Sequence, residues 1–267
     1  MIRVDSVSKY FGGLKAVDNV TIDIAKGSIT GLIGPNGAGK TTLFNTIAGI
    51  YEPDSGTICL DGEDITELKP HQLFHKGVLR TFQIAHEFSR LTVLENLMVV
   101  PAGQSGEQLI DAWIRRRLVE KEENAIRHRA NDVIEFLNLS HVSGELAGNL
   151  SGGQKKLLEL GRTMMVDARV VLLDEVGAGV NRTLLKDIGD AILRLNAERS
   201  YTFCMIEHDM EFISRLCDPV IVMAEGAVLA QGTAEQVKTD ELVIEAYLGR
   251  GLKHRKSEPD TPAGVTA

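Results

Sequence analysis

Cysteine is scarce in this sequence of 267 residues, where only Cys59, Cys204 and Cys217 occur. The three are scattered and odd in number, so they fit neither a disulfide framework nor a zinc site. We expect each of them to be a small buried apolar side chain, which argues against redox chemistry.

The sequence also lacks long apolar runs and an excess of basic residues. No uncharged apolar stretch approaches the roughly 18 residues that span a bilayer, and residues 1–5 do not lead into the apolar segment of a signal peptide. The net charge of −8 argues against a nucleic-acid binder with a broad basic face. With 43% hydrophobic and 25% charged residues, the composition is that of a soluble globular protein, which we expect in the cytoplasm.

Glycine, in contrast, is concentrated at residues 34–42, which read Gly-Pro-Asn-Gly-Ala-Gly-Lys-Thr-Thr. This stretch fits the G-x-x-x-x-G-K-[ST] phosphate-loop pattern in full, with an apolar strand at 29–33 before it and a helix after it. Its backbone N–H groups can surround a phosphate, while Lys40 reaches the β- and γ-phosphates and the Thr41 hydroxyl binds Mg²⁺. The residues predicted to hold the nucleotide here are Asn36, Gly37, Ala38, Gly39, Lys40, Thr41 and Thr42.

Two adjacent acidic residues follow a second apolar strand, at Asp174 and Glu175. Ligands of doubly wound sheets bind beyond the carboxyl ends of the strands, so we expect Asp174 to meet the Mg²⁺ held by Thr41. Glu175 would point elsewhere and orient or deprotonate the attacking water as a general base.

The apolar spacing elsewhere predicts an α/β fold. The predicted strands are 2–7, 20–24, 29–33, 57–62, 170–174, 202–206 and 219–223. The segment from about 86 to 165 is predicted to be helical, with apolar stripes at 126–137 and 157–165, and 184–195 adds another such stripe. The strand at 57–62 is predicted to end in an Asp-Gly turn. The expected fold is a P-loop NTPase core with a mostly parallel sheet, an N-terminal antiparallel β subdomain and an inserted α-helical subdomain.

The string Leu-Ser-Gly-Gly-Gln at 150–154 is the most specific in the sequence. Five specified residues match by chance on the order of once in ten thousand chains of this size. With it, the sequence closely resembles the nucleotide-binding subunits of ATP-binding cassette (ABC) transporters, from residue 2 to about 249. The resemblance implies an ATPase with ATP and Mg²⁺ as cofactors. It also implies one nucleotide-binding domain over 1–250, with its helical subdomain at about 86–165, while the polar residues 251–267 would form a disordered tail.

The resemblance assigns roles to three further residues. Phe11 would stack on adenine, with Tyr10 as the alternative. Gln83, in the string Arg-Thr-Phe-Gln at 80–83, would touch Mg²⁺, serve catalysis and begin the segment that faces the membrane partner. His208 would contact the γ-phosphate, so the implied catalytic residues are Glu175, His208 and Gln83.

Partners are also implied by the resemblance. Ser151, Gly153 and Gln154 would bind the nucleotide held by a second ABC ATPase subunit, in a head-to-tail dimer with ATP between the chains. Ser151 would in addition N-cap the helix that follows. The second subunit is another copy or a related cassette, and the resemblance favours the mixed pair. Membrane permease subunits, and indirectly a periplasmic solute-binding protein, complete the implied assembly at the cytoplasmic face of the inner membrane, with no nucleic acid.

Two positions depart from the usual family pattern. Val176 stands where the family usually has proline, and Asn181 where many members have aspartate. Loss of proline loosens the turn, and asparagine keeps hydrogen-bonding capacity without charge. We expect activity to persist, with communication between subunits the property most affected.

Several strings resemble the ATPases of branched-chain amino acid importers, namely 11–17, 80–83, an insert around 101–124 and 243–249. Importers of urea and short amides share these features and remain an alternative. A non-transport ABC ATPase would be favoured by a tandem cassette or a coiled-coil arm, and a GTPase by an Asn-Lys-x-Asp motif; the sequence contains none of these.

The charge run at 115–123 is predicted to be a solvated helical face or a docking surface.

Overall fold

The computed structural model describes residues 1–81, 87–107, 113 and 115–248. The strands are β1 (Ile2–Phe11), β2 (Leu14–Ile24), β3 (Ile29–Ile33), β4 (Ser55–Leu60), β5 (Glu63–Asp64), β6 (Val78–Arg80), β7 (Val170–Asp174), β8 (Thr202–Ile206), β9 (Val220–Ala224) and β10 (Ala227–Gly232). The α-helices are α1 (Lys40–Ile47), α2 (Pro70–His75), α3 (Val93–Met98), α4 (Arg116–Phe136), α5 (Gly152–Met164), α6 (Arg182–Arg199), α7 (Met210–Leu216), α8 (Ala234–Thr239) and α9 (Glu241–Tyr247). The predicted tail at 251–267 lies outside the described residues.

The N-terminal sheet has the strand order β2-β1-β4-β5, and every neighbouring pair is antiparallel. Its first two strands are longer than predicted, because register shifts along the β1–β2 pair interrupt the simple alternation. The predicted Asp-Gly turn is present: Asp61 and Gly62 both have positive φ, as a tight hairpin into β5 requires.

The second sheet has the order β10-β9-β3-β8-β7-β6, in which only β10 is antiparallel to its neighbour. Its central strands are buried on both faces. Val171 and Leu173 pack into a core with the helices from α3 to α7, whereas Val170 and Leu172 pack into the core that holds α1 and the N-terminal sheet. The mostly parallel, two-sided α/β architecture predicted from the sequence is therefore confirmed.

The described residues between 87 and 164 form helices and turns without a strand. The predicted apolar stripe on α4 is buried at Ala130, Val133 and Ile134, and it packs with Leu157 and Leu160 of α5. The arginines at the start of α4 are exposed, as a solvated face requires. No helix in the described part of the chain is long and apolar enough to cross a membrane.

The three cysteines are free, and their burial differs. Cys204 and Cys217 are buried in the core as expected. The expectation for Cys59 was wrong: it is only half-buried, because β4 belongs to the N-terminal sheet, which has one solvated face.

Three adjacent parallel strands bring the candidate site together. In the order β3-β8-β7, their carboxyl ends lie at one edge of the sheet. The edge therefore receives the phosphate loop from β3, residues 207 and 208 from β8, and residues 174 and 175 from β7. Strand β6 follows β7 and adds Arg80 at the same end.

Candidate functional site

The phosphate loop leaves β3 and enters α1. Gly39 is the N-cap of α1 with a φ of +95°, and a Cβ at this position would overlap the carbonyl oxygen of Ala16. Glycine is thus required here both for the left-handed backbone and for the close approach of β2. The first turn of α1 contains no acidic residue, so the N–H groups and the positive end of the helix dipole favour an anion.

Lys40 is buried at the centre of this loop. Its Nζ donates to the carbonyl oxygens of Gly34 and Pro35 at 2.8 and 3.0 Å. Burial lowers the pKa of Lys40, and the carboxylates of Glu175 and Asp174 oppose this effect. Because the two acids act on the lysine, the phosphate loop and the end of β7 form one electrostatic site.

The other predicted nucleotide-binding residues differ in accessibility. Asn36, Gly37 and Thr41 are exposed, Thr42 is half-buried and Ala38 is buried. The backbone of the loop is therefore open to solvent next to the buried Lys40. The individual roles of these residues remain predictions.

Phe11 and Tyr10 are both accessible at the end of β1, with 44% and 37% of their surface exposed. The Phe11 ring is held edge-to-face by Tyr51, with 5.3 Å between the ring centroids. A lysine lies over each ring, with Nζ of Lys15 5.7 Å from the centroid of Tyr10 and Nζ of Lys9 5.8 Å from that of Phe11. Phe11 is the more exposed of the two, and its stacking on adenine remains a prediction.

Asp174 ends β7 in a buried ion pair with Arg80. The Nη2 of Arg80 lies 2.7 Å from Oδ2 of Asp174, and the two side chains are 11% and 5% exposed. Arg80 also donates to the side-chain oxygen of Asn45 on α1. The arginine thus joins β6, α1 and β7 and is the ion-pair partner of Asp174. No motif in the sequence marks Arg80, because its partner Asp174 is 94 positions away.

Glu175 and His208 lie together beyond the ends of β7 and β8. Oε1 of Glu175 is 2.9 Å from Nε2 of His208. Glu175 has a φ of +50°, an unusual backbone conformation for a glutamate. The turn directs its side chain away from that of Asp174 and towards the histidine. A carboxylate that can act as a base therefore lies next to an imidazole.

The residues expected to hold Mg²⁺ supply the hard oxygen donors that this ion prefers, namely the Thr41 hydroxyl and the Asp174 carboxylate. The described residues include no group of three or more acidic, histidine or cysteine side chains that could hold a metal ion alone. This donor set fits an ion bound by few protein oxygens together with substrate phosphates. Gln83, the third predicted ligand and a predicted catalytic residue, lies outside the described residues.

The string at 150–154 begins α5. Ser151 is the N-cap: its hydroxyl accepts the N–H of Gln154 at 3.4 Å, and Oε1 of Gln154 accepts the N–H of Ser151 at 2.9 Å. This capping box confirms the predicted N-cap role. A Cβ at Gly153 would overlap the Leu184 side chain of α6, so any other residue there would require Leu184 to move. In the described part of the chain, the side chains of Ser151 and Gln154 form hydrogen bonds with each other's backbone N–H groups, and Gln154 also contacts His141.

The two departures from the family pattern have structural roles. Val176 is buried in the core with residues of α5 and α6. Asn181 N-caps α6, and its Oδ1 accepts the N–H of Leu184 at 2.9 Å. Asparagine and aspartate are equally good N-caps, so the helix keeps its start without the charge.

Comparison with protein families gives two matches. Residues 17–178 match the model described as "ABC transporter". Residues 227–253 match the model described as "Branched-chain amino acid ATP-binding cassette transporter".

Known relatives and solved structures agree with these matches. A probable branched-chain amino acid transport ATP-binding protein LivG of Archaeoglobus fulgidus is 42% identical, over 93% of this chain and 95% of that one. The high-affinity branched-chain amino acid transport ATP-binding protein BraF of Pseudomonas aeruginosa is 37% identical, over 93% and 98%. A crystal structure of the ADP conformation of MJ1267, an ATP-binding cassette of an ABC transporter, is 38% identical with a TM-score of 0.80, covering 93% and 98%.

Proposed function

The chain belongs to the ABC transporter family of ATP-binding proteins, and we propose that it is the ATPase subunit of a branched-chain amino acid importer. The observation that carries the proposal is the meeting of the phosphate loop, Asp174, Glu175 and His208 at one edge of the sheet. The solute is suggested by the C-terminal match at 227–253 and by relatives that are named as branched-chain amino acid transport proteins.

ATP binding is the first step. The N–H groups at the start of α1 would surround the β-phosphate, and the Lys40 ammonium would exchange its two carbonyl partners for phosphate oxygens. Phe11 would stack on the adenine. Mg²⁺, held by Thr41, Asp174 and Gln83, would neutralise phosphate charge.

Hydrolysis would then use the pair formed by Glu175 and His208. Glu175 would orient the attacking water and accept its proton, while the imidazole of His208 would donate a hydrogen bond to the γ-phosphate. The P–O bond to ADP breaks as the bond from the water oxygen forms, and the products are ADP and phosphate.

A second ATPase subunit would complete each nucleotide site. At the N-terminus of α5, Ser151 is exposed, Gln154 is half-buried and Gly153 is buried, so the Ser151 hydroxyl and the N–H groups of the first turn would meet the γ-phosphate held by the partner. The partner is a second copy of this chain or a related cassette. Because ATP would contact both chains, it would favour the closed pair over the open one.

Membrane permease subunits are the partners that would carry the solute, with a periplasmic binding protein delivering it. A cavity of about 270 Å³ lies beside Arg80, between the parallel sheet and the helical segment, and it is lined in part by Ile50, Phe74, Leu79 and Val100. We assign the permease contact to this cavity, whose lining includes Thr81, two positions before Gln83 in the sequence. The chain would thus act as one nucleotide-binding domain, residues 1–250 with its helical subdomain at about 86–165, at the cytoplasmic face of the inner membrane.

Uptake by cells that lack this chain tests the solute. Radiolabelled leucine and urea are supplied to a deletion strain carrying either the wild-type chain or Glu175→Gln. We expect leucine uptake to return with the wild type only. Recovery of urea uptake instead would support the urea and short-amide alternative. A tagged chain that never co-purifies with a membrane-spanning protein would favour a non-transport ATPase.

A further inference from the structure

Glu207 is a buried carboxylate immediately after β8, next to His208, and the site described above does not use it. It is 5% exposed. Burial raises the pKa of Glu207, the N–H donors of Gly177 and His208 lower it, and the nearby charge of Glu175 raises it. A buried carboxylate is costly unless hydrogen bonds compensate it, so its partners indicate why it is there.

Those partners are two backbone N–H groups from two different loops. Oε1 of Glu207 accepts the N–H of Gly177 at 2.7 Å, and Oε2 accepts the N–H of His208 at 3.3 Å. Gly177 belongs to the loop after β7, two residues from Glu175. One carboxylate therefore ties the loop that carries the base to the loop that carries the imidazole.

The loop after β7 is also joined to β8 by a backbone hydrogen bond, from N of Glu175 to the oxygen of Ile206 at 2.9 Å, so Glu207 adds a second tie further along the loop. Glu175 has a φ of +50° and Gly179 a φ of +72°. The hydrogen bonds within the loop are two short turns, from Ala178 N to the oxygen of Glu175 at 3.2 Å and from Val180 N to the oxygen of Gly177 at 3.1 Å. The proline usual in the family is absent at position 176, so the backbone is less restricted by its own covalent structure.

Gly177 lies against the carboxylate. A Cβ there would be in ordinary contact with the two carboxylate oxygens of Glu207, at 3.4 and 3.5 Å, and in a tighter contact with the Leu185 side chain, at 3.1 Å. The Gly177 N–H points at the acceptor that fixes the loop.

We propose that Glu207 is a positioning residue for ATP hydrolysis, which sets Glu175 against His208 by holding the backbone N–H groups of Gly177 and His208. The proposal rests on the proposed roles of Glu175 and His208. In this role the carboxylate of Glu207 binds backbone N–H groups and needs no contact with ATP or the attacking water. It acts through the 2.9 Å contact between Glu175 and His208, and a displacement of about 1 Å in such a pair lowers turnover on the order of 10²-fold.

Two substitutions separate positioning from packing. Glu207→Met keeps the length and fills the space but removes both acceptors, so it leaves the N–H groups of Gly177 and His208 without the carboxylate. Glu207→Gln keeps one acceptor oxygen. We expect kcat to fall on the order of 10²-fold in Glu207→Met and by less in Glu207→Gln, with little change in the KM for ATP.

Asn196→Ala is the matched control. Its Nδ2 donates to the oxygens of Gly27 and Tyr201 at 2.8 and 2.7 Å, so it also ties two backbone segments, at the opposite end of the strands. We expect it to lower the melting temperature without lowering kcat. Hydrogen–deuterium exchange gives a readout apart from activity: in both Glu207 variants, peptides covering 175–181 should exchange faster, and peptides covering 34–42 should not.

The outcomes are distinct. Wild-type kcat in a folded Glu207→Met, or unchanged exchange at 175–181, would overturn the proposal. If Glu207→Met does not fold, the exchange and kcat of Glu207→Gln decide by the same criteria. Glu175→Gln is assayed in parallel: full turnover in that variant would refute the proposed role of Glu175 itself, whatever Glu207 does.

Discussion

At the scale of single residues, hydrolysis depends on the carboxylate of Glu175, which lies 2.9 Å from His208. Glu175→Gln keeps the side-chain volume but removes the base. We expect ATP binding to persist and turnover to fall by at least about 10², as measured by phosphate release and by binding of a fluorescent ATP analogue. Lys40→Ala is the contrasting variant, and it should weaken ATP binding itself. Equal turnover of wild type and Glu175→Gln would contradict the assignment of the base.

The ion pair between Arg80 and Asp174 leads to a prediction about stability. Both side chains are buried, so Arg80→Met leaves a buried carboxylate without its partner. We expect the free energy of unfolding to fall by about 3–5 kcal/mol, measured by urea denaturation without nucleotide. The double variant Arg80→Met, Asp174→Asn removes both charges and should recover part of the loss. An equal loss in the single and double variants would show that the charge of Asp174 is not the cause.

The three thiols should differ in reactivity. Burial raises the pKa of Cys217 to about 12, and burial raises the pKa of Cys204 as well. The thiolate is the nucleophile, so at about pH 8 both remain protonated and unreactive, whereas the half-buried Cys59 is open to reagents. Mass spectrometry after brief treatment with iodoacetamide should find the label on Cys59 first. Equal labelling of all three in the folded protein would contradict the burial.

How much of the site could be predicted depends on whether a residue's role is local. Lys40 and Asp174 were found from the sequence because the patterns around them are short and contiguous. Arg80 and Glu207 were not, because their partners at 174 and 177 come from distant strands. A single arginine or glutamate next to a motif does not reveal a partner that is distant in the sequence. Only the strand order β8-β7-β6 brings these groups together.

At the scale of elements, helix α5 packs closely against α6 at one glycine, Gly153. A methyl group at Gly153 would overlap the Leu184 side chain. We therefore expect Gly153→Ala to lower the free energy of unfolding by about 1–3 kcal/mol, measured by chemical denaturation. The double variant Gly153→Ala, Leu184→Ala makes room for the methyl group. It should be less destabilised than the sum of the two single variants, and simple additivity would contradict the overlap.

Long helices could be predicted from the sequence, whereas a very short strand and an edge strand could not. The long apolar stripes of α4, α5 and α6 were found, since each repeats over several turns and is buried against the core. Strand β6 was missed because it has three residues, too few for a period to appear. Strand β10 was missed because its residues are only half-buried or exposed at the edge of the sheet, where alternation is weak.

At the scale of the whole molecule, ATP can drive a cycle only through its different affinity for two states. Moving a pair of subunits from 1% to 99% closed requires about 10⁴-fold tighter binding to the closed state. Two ATP molecules bound between the subunits would supply this preference together, each with about a hundredfold tighter binding to the closed state. A hundredfold is about 2.7 kcal/mol, which is within the range of one or two charge-assisted hydrogen bonds from the N-terminus of α5.

ATP-dependent dimer formation tests whether the N-terminus of α5 contributes to this preference. Saturating MgATP should convert Glu175→Gln, which binds but does not hydrolyse, into a dimer in analytical ultracentrifugation, alone or when mixed with a related cassette. Ser151→Arg in the same background places a bulky charge at the exposed N-cap of α5 and should prevent dimer formation without abolishing ATP binding. Lys40→Ala in that background should remain monomeric because it lacks nucleotide. If the Ser151→Arg chain dimerises as readily as its parent, or if neither mixture dimerises at saturating ATP, then the string at 150–154 does not face a partner's nucleotide. In that case the hundredfold preference per ATP must come from another surface.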